Sequence, residues 1–271
     1  MGHYAGVSLA PAPNPQRMKI ENHILVGAQF KQTPNIFGLP LTRPKYLIIH
    51  YTVSGNVSGT VAHLTKPDSN VSAHIVIGRG GEVVQLASFD QRCKHCGASA
   101  WNSDTHLNFS SIGIEFVNWG PLEKDKDGVF RSPYNHVIPA EDVEQATHKN
   151  EASPRYWQKF TPEQLAKGAE VARAILMAYP IEEVLGHDDI APGRKSDPGP
   201  AFPMQEFLED CGWIDAPEPV TEFKAMQAHF ERSPFGGIDI TLADKEGEIS
   251  ERLTVEEARA LRDWLTKILP E

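Results

Sequence analysis

A polar loop in the last third of the chain reads Gly186-His187-Asp188-Asp189-Ile190-Ala191-Pro192-Gly193-Arg194-Lys195-Ser196-Asp197-Pro198-Gly199. Glycine and proline at this density predict an irregular loop rather than a regular helix or strand. Such a loop is poorly suited to filling a core and well suited to holding side chains around a reacting centre. His187 and Asp197 are both zinc-ligand types, and Lys195 could face the same space. Two ligands do not complete a metal site, so a third is expected elsewhere.

A histidine at the end of an apolar run is the candidate for that third ligand. The run Tyr46-Leu47-Ile48-Ile49 leads directly into His50. Large residues in succession, two of them β-branched, predict a strand that is buried on both faces. A lone histidine there is more often a core residue. Together with the 186–199 loop, however, His50 is interpreted as a ligand on a stiff support near the sheet edge.

A carboxylate on a second predicted strand has two interpretations. Ile112, Ile114 and Phe116 alternate as in a strand, which places Glu115 on the opposite face. Glu115 could be a solvated residue on an exposed strand face. It could also be a general base beside a metal-bound water.

These segments together resemble the zinc-dependent N-acetylmuramoyl-L-alanine amidases, the family of AmpD-type recycling enzymes, phage endolysins and peptidoglycan-recognition proteins. The resemblance spans roughly residues 40–210, and its motifs occur in the family's order. Asp197 favours the AmpD-type branch, because endolysins and recognition proteins usually carry cysteine there. The motifs are the 186–199 loop, Ile49-His50-Tyr51-Thr52, Val71-Ser72-Ala73-His74-Ile75-Val76-Ile77, Gly80-Gly81-Glu82-Val83 and Ser111-Ile112-Gly113-Ile114-Glu115.

The resemblance implies a set of roles. His50, His187 and Asp197 would bind one zinc ion per chain, and Glu115 and Lys195 would be catalytic. Two imidazoles and one carboxylate leave a position for water, whose pKa zinc lowers to about 7. Glu115 would accept a proton from that water and Lys195 would stabilise the oxyanion. The bond cleaved would be the amide between N-acetylmuramic acid and L-alanine.

Other residues are weaker candidates. His95, Trp101 and Asn108 are interpreted as lining the substrate groove, since the family often has His-Ala-Gly before a serine where this chain has His95. His74 also matches a family position, either as support for the metal site or as a purely structural residue. The lone C-x-x-C that encloses His95 is interpreted as a pair of free thiols beside the groove rather than a second metal or redox site.

Composition limits the class of protein. The chain has 271 residues, 40% of them hydrophobic and 23% charged, as in a soluble globular protein. A net charge of −10 argues against general nucleic-acid binding. No run approaches the about 18 apolar residues of a membrane helix. The first residues lack a basic region and an apolar stretch, so we expect no secretory signal and synthesis in the cytoplasm. Release as an endolysin or export as an effector would also be compatible.

The predicted fold is mixed α/β, with a central mixed β-sheet flanked by helices and a small C-terminal strand–helix extension. We divide the chain into an irregular lead-in (1–40), a zinc amidase domain (41–215) and the extension (220–271). Within the domain, residues 119–160 are long for a loop, which predicts a lid or groove wall with His136 and His148 exposed. A helix should follow, with Thr161 as its cap and Gln164 completing a capping box. A second capping box, at Thr254, predicts a helix in the extension.

Three function classes follow from these observations. The first is a zinc amidase acting on peptidoglycan or its soluble fragments. The second is a non-catalytic peptidoglycan-binding protein, which would be expected to have lost a ligand. The third is a structural zinc site, which would need four protein ligands, usually rich in cysteine. The sequence offers the full three-ligand set without a thiolate, which favours the amidase.

Overall fold

A computed structural model of the protein describes residues 18–213 and three later strands, at 227–232, 238–243 and 248–253. The chain divides into two compact units, residues 1–213 and residues 214–271. In the first unit the strands are β1 (Ile20–Glu21), β2 (Ile24–Leu25), β3 (Gln29–Phe30), β4 (Ile36–Pro40), β5 (Tyr46–Tyr51), β6 (Ile75–Ile77), β7 (Val83–Gln85), β8 (Gln91–Cys93), β9 (Ala100–Trp101), β10 (Asp104–Thr105), β11 (Ser111–Phe116), β12 (Pro121–Lys124), β13 (Phe130–Arg131), β14 (Val137–Ile138), β15 (Val143–Thr147), β16 (Pro154–Gln158) and β17 (Glu183–Gly186). Its helices are α1 (Val57–Leu64), α2 (Pro162–Ala178), α3 (His187–Ile190) and α4 (Met204–Asp210).

A six-stranded mixed sheet forms the centre of the first unit, in the order β17-β5-β11-β6-β7-β3. Strands β17, β5, β11 and β6 run parallel to one another, and β7 is antiparallel to β6. All six residues of β5 are buried, as its continuous apolar run predicts. The expected mixed α/β class with a central sheet is confirmed.

The long helix α2 covers one face of this sheet. Thr161 caps it as predicted, because its side chain accepts a hydrogen bond from the backbone N–H of Gln164. The capping-box prediction for Gln164 is wrong: its side-chain amide donates to the carbonyls of Ile77 and Val117 instead. It thereby ties the helix to two strand ends. A Cβ added to Gly168 would come within 2.4 Å of the Phe116 ring, so the absence of a side chain lets helix and sheet approach closely.

Residues 119–160, predicted to be a long loop that forms a lid or a groove wall, are a regular β-sheet. They contain five antiparallel strands in the order β14-β13-β12-β16-β15, which we call the 119–160 sheet. Trp157 of β16 is fully buried in the same core as Phe116 and Phe202. The polar composition misled the prediction because these strands are short and several of their side chains remain exposed. Of the two alternatives, anchoring of the sheet in the core through Trp157 favours a wall over a lid.

The lead-in is also more regular than expected. From Ile20 onwards it carries four short strands, and β3 extends the central sheet by pairing in parallel with β7. Such two-residue strands leave almost no periodic signal in the sequence. The part of the lead-in before residue 18 lies outside the described residues.

The second unit contains an antiparallel three-stranded sheet, β18 (Gln227–Arg232), β19 (Ile238–Ala243) and β20 (Glu248–Leu253), in that order. The strand predicted from the alternation of Ile238, Ile240 and Leu242 is β19. The two flanking strands were not predicted. The helix predicted from Thr254 lies outside the described residues.

Candidate active site

The register of three parallel strands brings the predicted site residues together. His50 of β5 lies directly opposite Glu115 of β11. Ile49 lies opposite Gly186, the last residue of β17, so His187 follows at the level of His50. Partners in register on adjacent strands present their side chains on the same face. Two ligands and the candidate base therefore meet at one edge of the sheet, where the strands have their carboxyl ends.

The 186–199 loop completes the group. Despite its glycines and prolines it contains one short helix, α3, which begins at His187 itself. The loop then returns so that Asp197 faces both histidines. Nδ1 of His50 lies 3.0 Å from Nδ1 of His187, and each of these atoms lies 2.9 Å from Oδ2 of Asp197. All three residues are buried.

Hydrogen bonds on the far side of each ring fix which nitrogen carries a proton. Nε2 of His187 lies 3.0 Å from the Cys96 carbonyl, which only accepts, so the proton is on Nε2 and Nδ1 presents a lone pair. For His50 the same result follows through a relay. Ser111 donates its hydroxyl proton to the Leu107 carbonyl and accepts from Nε2 of His95. Nδ1 of His95 therefore accepts from Nε2 of His50, at 3.0 Å.

Three lone-pair atoms thus converge with no proton between them. Tetrahedral zinc with bonds of about 2.0–2.1 Å requires ligand atoms about 3.3 Å apart, close to the spacing seen here. Outer hydrogen bonds that set the tautomer of ligand histidines are typical of metal sites. The residues present therefore fit a divalent metal ion, and among the described residues this is the one His/Cys/Asp/Glu group with that convergence.

Burial and neighbouring charges set the ionisation states of His50 and Asp197. Burial, with the neighbouring His187 ring, lowers the pKa of His50 to about 4, so this imidazole is neutral at pH 7. Burial raises the pKa of the Asp197 carboxyl, but the His187 and His50 rings outweigh it and hold that pKa below its usual range. The group therefore offers a neutral imidazole at His50 and an ionised carboxylate at Asp197.

Glu115 lies beside this group and differs from it electrostatically. Burial and the charge of Asp197 raise the pKa of its carboxyl well above the usual range, while Lys195 acts in the opposite direction. Its Oε2 atom is buried and has no hydrogen-bond partner among the described residues. An unpaired buried oxygen on the residue opposite His50 is suited to receive a proton from a bound molecule.

A cavity of about 920 Å³ opens onto these residues. Its wall includes the three ligand-type residues, Glu115 and Lys195. Lys195 is exposed on the 186–199 loop, so its ammonium can reach a molecule in the cavity. The volume is at the upper end of the range for small-molecule sites.

Comparison with known proteins agrees with this geometry. The N-acetylmuramoyl-L-alanine amidase family, Amidase_2, matches residues 40–200. The chain belongs to this family. It is 32% identical over 185 residues to the N-acetylmuramoyl-L-alanine amidase AmiD of Escherichia coli K12, covering 64% of this chain and 56% of AmiD. It is 33% identical over 149 residues to the 1,6-anhydro-N-acetylmuramyl-L-alanine amidase AmpD of the same organism, covering 54% of this chain and 59% of AmpD.

The structural comparison leads to the same family. A crystal structure of a selenomethionine derivative of AmpD matches with a TM-score of 0.52 and 25% identity, covering 71% of this chain and 99% of that one. The matches to AmiD and AmpD span less than two thirds of the length of those curated relatives. Among the described helices, none is long and apolar enough to cross a membrane.

The three groove candidates of this amidase-family chain lie in different places. His95 is buried in the cavity wall and contacts His50, as described above. Trp101 does not line this cavity but packs beside Tyr46, Cys96 and Leu185. Asn108 is buried, and its side-chain oxygen accepts from the backbone N–H groups of His95 and Cys96. Trp101 and Asn108 thus support the fold around the site.

His74 and the cysteines have structural surroundings. His74 is fully buried, its Nε2 donating to the Gln91 carbonyl and its Nδ1 accepting from the Gly113 N–H. Burial lowers its pKa to about 4. Cys93 and Cys96 are free but buried, and burial raises the pKa of each thiol to about 12. The prediction of free thiols is confirmed, and neither cysteine lines the cavity.

Side-chain contacts between the 119–160 sheet and the 186–199 loop were not predicted. His148 was expected to be exposed but is buried, with Nε2 2.9 Å from Oδ2 of Asp188. Lys149 bridges Asp188 and Asp189 at 2.9 and 2.5 Å. These contacts hold the residues that directly follow His187. The sequence gives no local signal for them, because the partners lie about 40 positions apart.

His136, by contrast, is exposed as expected. It lines the cavity, together with Trp119 and Tyr134. The sequence analysis placed these three residues only in the 119–160 segment predicted as a lid or groove wall and gave none of them an individual role.

Proposed function

We propose that this chain is a zinc-dependent amidase that hydrolyses the bond between N-acetylmuramic acid and L-alanine. The observation that carries the proposal is the convergence of His50, His187 and Asp197 beside the buried, unpaired Oε2 of Glu115. Membership of the amidase family supplies the reaction class. The names of AmiD and AmpD supply the chemical class of the substrate, a muramyl peptide.

The proposed metal is zinc, held by Nδ1 of His50, Nδ1 of His187 and Oδ2 of Asp197. Two imidazoles and a carboxylate are a frequent donor set of catalytic zinc. When bound, zinc supplies a Lewis acid that polarises the scissile carbonyl and lowers the pKa of water to about 7.

The remaining steps belong to residues of the chain. Glu115 accepts a proton at Oε2 from the attacking water and then delivers it to the leaving amine of L-alanine. Its position opposite His50 on rigid strands fixes this oxygen relative to the ligands. Lys195 brings a positive charge to the cavity wall, where it stabilises the oxygen that becomes negative as the carbonyl is attacked.

The catalytic domain is proposed to comprise residues 41–215, since every residue given a role lies between His50 and Asp197. The extension at 220–271 then has no part in bond cleavage. The 119–160 sheet forms a wall of the cavity and contacts the 186–199 loop through His148 and Lys149.

Incubation with a soluble muramyl peptide, and separately with intact sacculi, tests the proposal. We expect the stem peptide to be released with a free amino group on its L-alanine, and the purified protein should hold about one zinc per chain. The Glu115→Gln variant should keep its zinc and lose turnover. Binding of muramyl peptide by zinc-loaded protein without release of the stem peptide would contradict the proposal in favour of a non-catalytic binding protein.

A further inference from the structure

A group of three rings lies on the wall of the cavity contributed by the 119–160 sheet. The imidazole of His136 stacks on the Trp119 indole, with ring centres 4.8 Å apart and planes at 23°. The Tyr134 ring lies 5.9 Å from Trp119, at 50°. We call Trp119, Tyr134 and His136 the aromatic shelf. The proposed catalysis uses none of them.

The fold holds this shelf in place. The backbone N–H of Trp119 donates to the Gln158 side chain at 2.8 Å. A Cβ added to Gly55 would lie 2.7 Å from the indole, so the ring rests directly against glycine backbone. Tyr134 and His136 lie on a tight turn in which Ser132 and His136 exchange hydrogen bonds. Rings presented by rigid backbone lose little conformational entropy when they bind a ligand.

Two of the three shelf rings, Tyr134 and His136, are exposed, and Trp119 is half-buried. Tyr134 is 68% exposed and the adjacent Val137 is 58% exposed. Exposed apolar surface that is continuous with a ligand cavity marks a binding surface more often than an isolated exposed side chain does.

The charges around the cavity lie on other segments. Arg194 and Lys195 belong to the 186–199 loop, and the Arg194 guanidinium donates hydrogen bonds to the carbonyls of Cys96 and Ala98. Lys94 stands next to His95. The shelf itself carries no lysine, arginine or carboxylate. The cavity therefore offers cationic groups from its loops and uncharged rings from the 119–160 sheet.

We propose that the aromatic shelf is a subsite for a pyranose ring of the glycan strand, and that this chain acts on muramyl groups still joined to neighbouring sugars. This inference rests on the proposed amidase function. One face of a pyranose presents C–H groups, which the electron-rich face of an aromatic ring attracts. The stem peptide carries carboxylates, which are drawn to Arg194 and Lys195 rather than to neutral rings. A substrate with a sugar and an acidic peptide on either side of its scissile amide matches both kinds of surface.

Direct binding separates this inference from the activity. The full-length protein is titrated by calorimetry with peptide-free GlcNAc–MurNAc oligosaccharides, which contain no bond to cleave, and with free stem peptide. We expect Trp119→Ala and Tyr134→Ala each to weaken oligosaccharide binding about tenfold, as for loss of a stacked ring at a binding site. Trp119→Phe should retain part of the affinity. Peptide affinity should not change.

Phe30→Ala is the matched control, because this aromatic residue is also exposed but lies on β3 and does not line the cavity. Circular dichroism checks the fold of every variant, and Tyr134→Ala keeps the test valid if Trp119→Ala does not fold. Wild-type affinity for the oligosaccharide in folded shelf variants would overturn the inference. So would a loss of peptide binding in place of sugar binding, or no binding of the oligosaccharide by wild-type protein. If the wild-type protein binds the sugar through the aromatic shelf but releases no stem peptide from a muramyl peptide, the subsite would be upheld and the proposed function contradicted.

Discussion

Replacement of His95 by alanine should weaken zinc binding although His95 is not itself a proposed ligand. Its Nδ1 accepts the proton of His50 Nε2, and this hydrogen bond keeps the lone pair of His50 Nδ1 directed at Asp197 and His187. In the alanine variant the buried Nε2–H of His50 loses its acceptor. The other tautomer then gains population, and in that tautomer Nδ1 carries a proton and cannot bind zinc.

The size of the effect follows from this single contact. A buried donor left without a partner costs about 1–3 kcal/mol, which corresponds to a factor of about 5 to 150 in affinity. Loss of an outer partner of a ligand histidine typically weakens metal binding by about 10–100-fold. We therefore expect the zinc dissociation constant of His95→Ala to rise by about 10–100-fold.

Competition with a chromophoric chelator measures this dissociation constant, and circular dichroism checks the fold. The His95→Asn variant is the matched control, since its side-chain oxygen can take the place of Nδ1 as acceptor and should restore most of the affinity. Ser111→Ala removes the next link of the relay and should have a smaller effect. A folded His95→Ala protein with a zinc affinity within twofold of wild type would refute the relay argument.

Four further predictions concern the metal, the catalytic pair, the domain boundary and pH. Removal of metal by a strong chelator should abolish release of the stem peptide, and added zinc should restore it; full activity in protein shown by elemental analysis to lack zinc would contradict the site. Glu115→Gln should lower kcat by about 10²–10⁴-fold and Lys195→Ala by about 10²–10³-fold at unchanged zinc content, so turnover near wild type would remove the residue from the mechanism. A chain ending at Asp215 should bind zinc and cleave a muramyl peptide; a folded, zinc-loaded truncation without turnover would assign the extension a part in the site. Burial lowers the pKa of His74 to about 4, so the unfolded chain binds a proton at this residue before the folded chain does. The contribution of His74 to the free energy of unfolding is therefore complete above about pH 6.5 and falls by about 3 kcal/mol as the pH drops to 4. Urea unfolding at the two pH values should show a smaller loss of stability in His74→Gln than in wild type, and an equal loss would exclude His74 as the cause.

The sequence correctly predicted the elements whose signal lies within a few consecutive residues. The apolar run before His50 specified a buried strand, and the cap at Thr161 specified the start of α2. Residue types and local setting suggested His50, His187 and Asp197 as a ligand set, and the family resemblance implied the same set. Their proximity was not available from spacing, because strand register places the two histidines and the return of the 186–199 loop places Asp197.

The failures have a common physical cause, because they concern partners distant in the chain. The 119–160 sheet consists of short strands whose pairing is decided by neighbours across the sheet rather than by their own periodicity. The burial of His148 depends on Asp188, and the orientation of Gln164 depends on two strand ends. No pattern within a dozen residues contains this information.

The parallel register of β5 with β11 and β17 has a consequence for how the chain can change its length. Side chains alternate between the two faces of a strand, so deletion of one residue within β5 before His50 would turn this histidine to the opposite face, away from Glu115. A change in the number of residues between β11 and α2 leaves that pairing intact, provided that the anchor at Asp188 is kept. New substrate surface can therefore be gained by lengthening the connections, while the strands themselves tolerate substitution but not a shift of a single position.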